Sequence, residues 1–277
     1  MKNKKNTATV NRTAERRNAM LRLQDLVDNP MPRVPVCLCL DTSGSMGRTF
    51  GGTRTGETVF RDGKTWNVVT GGVSCREQLQ SGIEQFYAAV RGDETAKYSA
   101  EIAIVSFNDR AECIEDFASL ERQTVPELVV KGNTAMGEGV NLALDLLEKR
   151  KAEYRAKGVD YFQPWLILMT DGEPNGDRNE LLNAIDRVNQ SVNAGKLTVF
   201  PIGIGRSADM DTLNRFSPKR QAMNIQSVQF GKFFNWLSKS ISAVSKSCPG
   251  DAVALDISAF KDLGLISAAK EGGWLTL

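Results

Sequence analysis

The chain has 277 residues, 41% hydrophobic and 25% charged, a composition that suits one large α/β domain with extensions. Its 35 basic and 33 acidic side chains nearly cancel, to +2, so no electrostatic case exists for nucleic acid as the main partner. Histidine is absent, which excludes Ser-His-Asp and Cys-His catalysis, His-ligated zinc and the commonest general base.

The first thirty residues are polar and lack the apolar run of a secretory signal, and the chain nowhere strings together the ~18 apolar residues of a membrane span. Five cysteines, an odd number, with Cys37 and Cys39 alternating inside an apolar segment, fit small buried hydrophobes in a reducing compartment. A cytoplasmic location is therefore expected.

Residues 1–30 read as a basic, solvated arm followed by an amphipathic helix over 11–27, carrying Met20, Leu21, Leu23, Leu26 and Val27. VPVCLCL (34–40) is a nearly continuous apolar run, the pattern of a parallel strand buried on both faces. EIAIVSF (101–107), WLILMT (165–170) and LTVFPIGI (197–204) repeat it. Helical periodicity fills 74–90, 135–157, 179–194 and 229–244. This alternation predicts an α/β fold with a doubly wound, mostly parallel sheet and helices on both faces. SFNDRAECIEDF turns at Asn108-Asp109, which predicts one antiparallel edge strand over 111–117. Within 47–73, ETVFRDGKTWNVV alternates about Asp62-Gly63, a hairpin signal. The domain is expected to span 31–247, with 248–277 as a tail packed on it.

In such a sheet, ligands lie at the carboxyl ends of the strands. Asp41-Thr42-Ser43-Gly44-Ser45 follows the first apolar run, and Thr170-Asp171-Gly172-Glu173 follows the third. Gly132-Asn133-Thr134 opens the long helix between them. Asp41, Ser43, Ser45, Thr134 and Asp171 are hard oxygen donors without imidazole or thiolate, suited to an octahedral Mg²⁺-like ion, with Mn²⁺ or Ca²⁺ as alternatives. Singly, each piece has a plainer reading: Asp171-Gly172 as a turn, Thr134 as a helix cap, Asp109 as a turn residue, Glu173 as a rim charge. Their joint placement favours the metal.

D-x-S-x-S after the first strand, a Thr in a Gly-rich loop and T-D-G after a later strand resemble the metal-ion-dependent adhesion site of von Willebrand A domains, over roughly 34–245. The resemblance implies direct hydroxyl ligation by Ser43, Ser45 and Thr134, and ligation by Asp41 and Asp171 directly or through ordered water. It also implies a protein partner whose acidic residue completes the shell, and binding rather than turnover: not an enzyme. LDTSGSM and MTDGEPN are similar to the bacterial tellurite-resistance TerY-like branch, which implies an intracellular setting in stress response or defence with kinase-like or phosphatase partners. The 47–73 insertion departs from the family, whose first helix usually starts soon after D-x-S-x-S; Phe60, Arg61 and Trp66, with Glu173, are the candidate partner contacts. Two other functions compete. A Mg²⁺-dependent phosphoryl-transfer hydrolase would place a second carboxylate where Ser43 stands, and a scaffold would use its ion only to tie loops.

Overall fold

The computed structural model describes residues 20, 22–50, 52–61, 63–226, 229–262, 265 and 274, without the side chains of 50, 61, 69, 259 and 262. The predicted arm and the first part of the helix predicted over 11–27 lie outside the described residues; 22–28 are helical (α1).

Strand β1 (Val34–Asp41) has every residue buried, as its unbroken apolar run requires. It pairs in parallel with β6 (Ala100–Phe107) on one side and β8 (Trp165–Thr170) on the other. Beyond β8 come β9 (Thr198–Ile204) and the short β10 (Met223–Ile225), both parallel. Beyond β6 lies β7 (Ala111–Glu115), the antiparallel edge. The sheet order is therefore β10-β9-β8-β1-β6-β7. The two-residue period of β1 sorts its side chains between two cores. Val34, Val36, Leu38 and Leu40 join the cluster built with α2 (Cys75–Gly92) and α7 (Phe230–Ser245). Cys37 and Cys39 join the cluster built with α4 (Met136–Lys157) and α5 (Arg178–Asn193). Burial pushes both thiols up, which keeps them protonated and apolar in behaviour.

Local chemistry sets the helix starts. Ser74 and Glu77 form a reciprocal capping box at α2 (Glu77 N to Ser74 Oγ 3.1 Å, Ser74 N to Glu77 Oε2 2.7 Å). Asp177 accepts from Asn179 N and Glu180 N at α5. Short elements without a sequence signal include α3 (Ala96–Ser99), α6 (Met210–Arg215) and β10. The C-terminal segment, with α8 (Ser258–Asp262), lays Leu255, Ile257, Phe260 and Trp274 into the α2/α7 core, where Trp274 Nε1 donates to Gln221 O at 3.1 Å.

The 47–73 insertion is the predicted hairpin. Strands β3 (Thr53–Arg61) and β4 (Lys64–Thr70) pair antiparallel with Arg61 opposite Lys64, which leaves a two-residue turn ending at Gly63 (φ 73°). A two-strand neck, β2 (Thr49–Phe50) against β5 (Val73–Ser74), joins it to the domain. Gly52 (φ 79°) is required in that neck, because a Cβ there would collide with the Thr70 carbonyl. The described side chains of β3 and β4 are exposed apart from half-buried Trp66 and Val68, so the ribbon stands off the domain rather than packing on it.

The opposite pole of the sheet holds a buried ion network. Glu101, at the start of β6, accepts from Arg150 Nε (2.7 Å) and Nη2 (2.8 Å) and from the Tyr154 hydroxyl (2.6 Å), with Arg33 Nε 3.3 Å away.

Candidate metal centre

Asp41 is the last residue of β1 and is fully buried. Both its carboxylate oxygens are engaged: Ser43 N donates to Oδ1 at 2.7 Å and the Thr170 hydroxyl donates to Oδ2 at 2.5 Å. The chain then turns through a short 3-10 segment, Gly44–Gly47, which carries Ser45 back toward β8. Ser43 Oγ and Ser45 Oγ lie 2.9 Å apart, and Ser45 Oγ donates to Asp171 Oδ1 at 2.5 Å. Four of the five sequence-predicted ligands thus form one hydrogen-bonded string across the carboxyl ends of β1 and β8.

Thr134, the fifth, is brought alongside by backbone stitching. Gly44 N donates to Gly132 O (3.0 Å), Lys131 N to Thr42 O (2.9 Å), and Ala135 N to Asn108 O (2.8 Å). Thr134 N donates to Asn175 Oδ1 at 2.6 Å, which fastens the same loop to the segment after β8. The cap of α4 is Ala135, without any side-chain cap bond, so Thr134 does not cap the helix. Its hydroxyl makes no hydrogen bond among the described residues, although the residue is only 5% exposed.

Electrostatics at this edge favour a cation. Burial pushes the Asp41 carboxyl up to about 6, and the nearby Asp171 charge adds to it, against the hydrogen bonds from Ser43 and Thr170. Burial also raises Asp171, against Ser45 and the Arg48 guanidinium. Two close carboxylates in a dry site need positive charge to ionise together. Among the described residues no group of three or more Cys, Asp or Glu could hold a metal, so any ion here must draw on hydroxyls as well. Cys75 sits nearby with its thiol against Met46 Sδ (3.7 Å), and burial holds it protonated, unfit as a ligand. Two carboxylates and three hydroxyls fit a hard divalent cation.

Several supporting residues were not visible in the sequence. Thr170 stands inside the T-D-G motif, yet nothing in the sequence assigns its hydroxyl to Asp41. Asn108 bridges two loops through Thr42 Oγ1 (3.1 Å), and Asn175 ends the MTDGEPN segment without any sign there that its side chain accepts from Thr134 N. Asp109 proves more than a turn residue: its Oδ1 accepts from both Asn133 N and Nδ2 at 2.9 Å. Gly132 (φ 62°) allows that contact, since a Cβ there would collide with the Asp109 carboxylate. Glu173 is exposed and makes no hydrogen bond or ion pair among the described residues. Phe60 lies 75% exposed on the ribbon with half-buried Trp66, while the Arg61 side chain lies outside the described residues.

Comparison with curated protein sequences finds no match. Among solved structures, the chain is similar to the vWF domain of the type V pili tip protein Mfa5 from Porphyromonas gingivalis, at 12% identity and TM-score 0.53, over 80% of this chain and 99% of that one. It is similar at 12% identity and TM-score 0.53 to the pilus adhesin SpaC from Lactobacillus rhamnosus GG, over 78% of this chain and 32% of that one. Proximal thread matrix protein 1 from the mussel byssus shares 15% identity at TM-score 0.49, and the chain spans about half of that protein's length (77% of this chain, 47% of that one). At such identities the likeness speaks to fold alone. The von Willebrand factor type A domain matches residues 36–236, from β1 into α7. With that match covering most of its length, the chain belongs to the von Willebrand factor type A domain family.

Proposed function

We propose that the protein is a metal-dependent protein-binding module in which Asp41, Ser43, Ser45, Thr134 and Asp171 hold one divalent cation, Mg²⁺ by the hardness of the donors. The observation that carries this is the Asp41–Ser43–Ser45–Asp171 string, with the Thr134 loop tied to it by the Gly44 N to Gly132 O bond. When bound, the ion supplies an electrophilic position that an acidic residue of a partner protein can fill. Binding rather than turnover suits the site: Ser43 stands where a hydrolase would place its second carboxylate, and Asp41 is spent on the ion. The LDTSGSM and MTDGEPN wording supports a TerY-like, cytoplasmic role in bacterial stress response or defence, with kinase-like or phosphatase partners.

The test is affinity capture from the native host in Mg²⁺ and in EDTA. Capture is expected in Mg²⁺ only; equal capture in EDTA sinks the proposal. Thr134→Ala keeps both aspartates, so it should weaken the partner more than it weakens the ion, as read by calorimetry beside capture.

The ribbon is proposed to choose the partner, with Phe60 and Trp66 as anchors and Glu173 on the facing rim. The neck glycines bring the ends together, so joining Gly52 to Gly71 through Asn-Gly removes 53–70 with little loop strain. That deletion should leave the thermal midpoint and Mg²⁺ affinity unchanged and cost partner affinity about 30-fold, the worth of one ~2 kcal/mol aromatic hot spot. Normal partner binding by the deletion would make the ribbon decoration.

A further inference from the structure

A cleft of about 260 Å³ opens beside Asp171, between the turn that carries Ser45 and the loop after β9. Its walls include Arg48, Asp171, Gly205, Arg206, Ser207 and Gln226. The loop is held firmly: Gly205 (φ 72°) donates through its N–H to Ile225 O at 2.8 Å, and its carbonyl accepts from Asn224 Nδ2 at 2.7 Å. Arg48 leans across the cleft and donates to Ser207 Oγ at 3.3 Å. Arg206 is exposed and has no hydrogen bond or ion pair among the described residues.

Asp171 is the only carboxylate on these walls. With Asp171 committed to a cation, the charged groups that remain on the walls are two guanidiniums, beside the Ser207 hydroxyl, the Gln226 amide, the Cys75 thiol and Ile204, a lining whose net charge suits an anion. Guanidinium forks match carboxylates in geometry as well as charge. The volume falls below the ~300–1,000 Å³ of small-molecule pockets, so an amino-acid side chain fits better than a cofactor.

We propose that this cleft is a second anion subsite: a partner segment with two acidic residues places one carboxylate on the cation and the other between Arg48 and Arg206. This rests on the cation reading of the neighbouring site and deepens it, because it states that the partner's recognition segment is doubly acidic.

Synthetic peptides of equal length test it, one with a single aspartate among glycines and a set with two aspartates at increasing spacing, measured by fluorescence anisotropy in saturating MgCl₂ on the full chain. The best two-aspartate peptide should bind about tenfold tighter than the single one. Arg206→Met should erase that advantage while calorimetric Mg²⁺ affinity stays unchanged. Loaded protein that binds both kinds of peptide equally, or neither, overturns the subsite, as does an advantage that survives Arg206→Met. Absence of Mg²⁺ binding by the wild type overturns the cation reading and the subsite together, so the two failures are told apart by calorimetry.

Discussion

Asp41→Asn is expected to weaken Mg²⁺ or Mn²⁺ binding at least ~100-fold, since even residues behind a metal's ligands typically cost 10–100-fold when changed. The same variant should leave the metal-free protein as stable as the wild type or more so. Asparagine keeps the shape of the side chain and an acceptor for Ser43 N, which sits 2.7 Å from Asp41 Oδ1. What it removes is charge from a fully buried position that faces a second carboxylate, Asp171, through two serines. A buried charge without a counter-ion destabilises, and a cation is the partner that makes such a pair tolerable. Asp41→Ala should lose the ion as well, but it also strips the acceptors of Ser43 N and Thr170 Oγ1, so a fall in stability there would be harder to interpret. Titration calorimetry gives the first result and thermal melting in EDTA the second. Unchanged ion binding in Asp41→Asn would mean that the site is misplaced. A steep loss of metal-free stability would mean that Asp41 is there to hold the fold.

The strands were legible because burial on both faces leaves no room for polar residues. VPVCLCL became β1 with only Asp41 added, and WLILMT is β8 without change. The amphipathic stripes likewise fixed α2, α4, α5 and α7 to within a residue or two. Short elements escaped: β10 is three residues in RQAMNIQ, too few for a period, and it exists because its neighbour β9 offers free backbone groups. Asp41, Ser43, Ser45 and Asp171 could be named because each follows a legible strand directly. Asn108, Asn175 and Arg48 could not, since their contacts join segments far apart in the chain. The environment of the hairpin's aromatics was not legible either: Trp66 is half-buried, but Phe60 stands in solvent. Sequence alternation specifies a ribbon; it does not say what lies beneath it.

The Arg33–Glu101–Arg150 network is the other feature that no pattern announced, and it carries the largest expected effect on stability. Glu101→Gln should cost ~3–5 kcal/mol, the usual cost of removing one partner from a buried ion pair. The glutamate is 2% exposed and Arg150 1% exposed, so no water stands ready to replace the lost charge. Arg33 would be better off, because its Nη groups also reach the carbonyls of Met31 (2.5 Å), Asn29 (2.7 Å), Asp25 (3.2 Å) and Tyr98 (3.3 Å). Arg150 would keep one carboxylate among the described residues, Glu153, through Nη1 at 2.6 Å. An amide offers one acceptor where the carboxylate offers two, and its NH₂ would face the donors of Arg150 or Tyr154. A loss of that size should lower the melting midpoint by roughly 10 °C in a domain this large. Function should respond differently. Glu101 is the second residue of β6 and pairs with Pro35, and the candidate ligands start at the far end of β1, six residues or ~20 Å along the strand. Mg²⁺ affinity of the folded Glu101→Gln protein should therefore equal that of the wild type, measured well below its melting temperature. Denaturant unfolding that shows a loss under about 1 kcal/mol would mean that water or a shifted side chain takes up the charge, and that the network orders α1 and α4 without holding them.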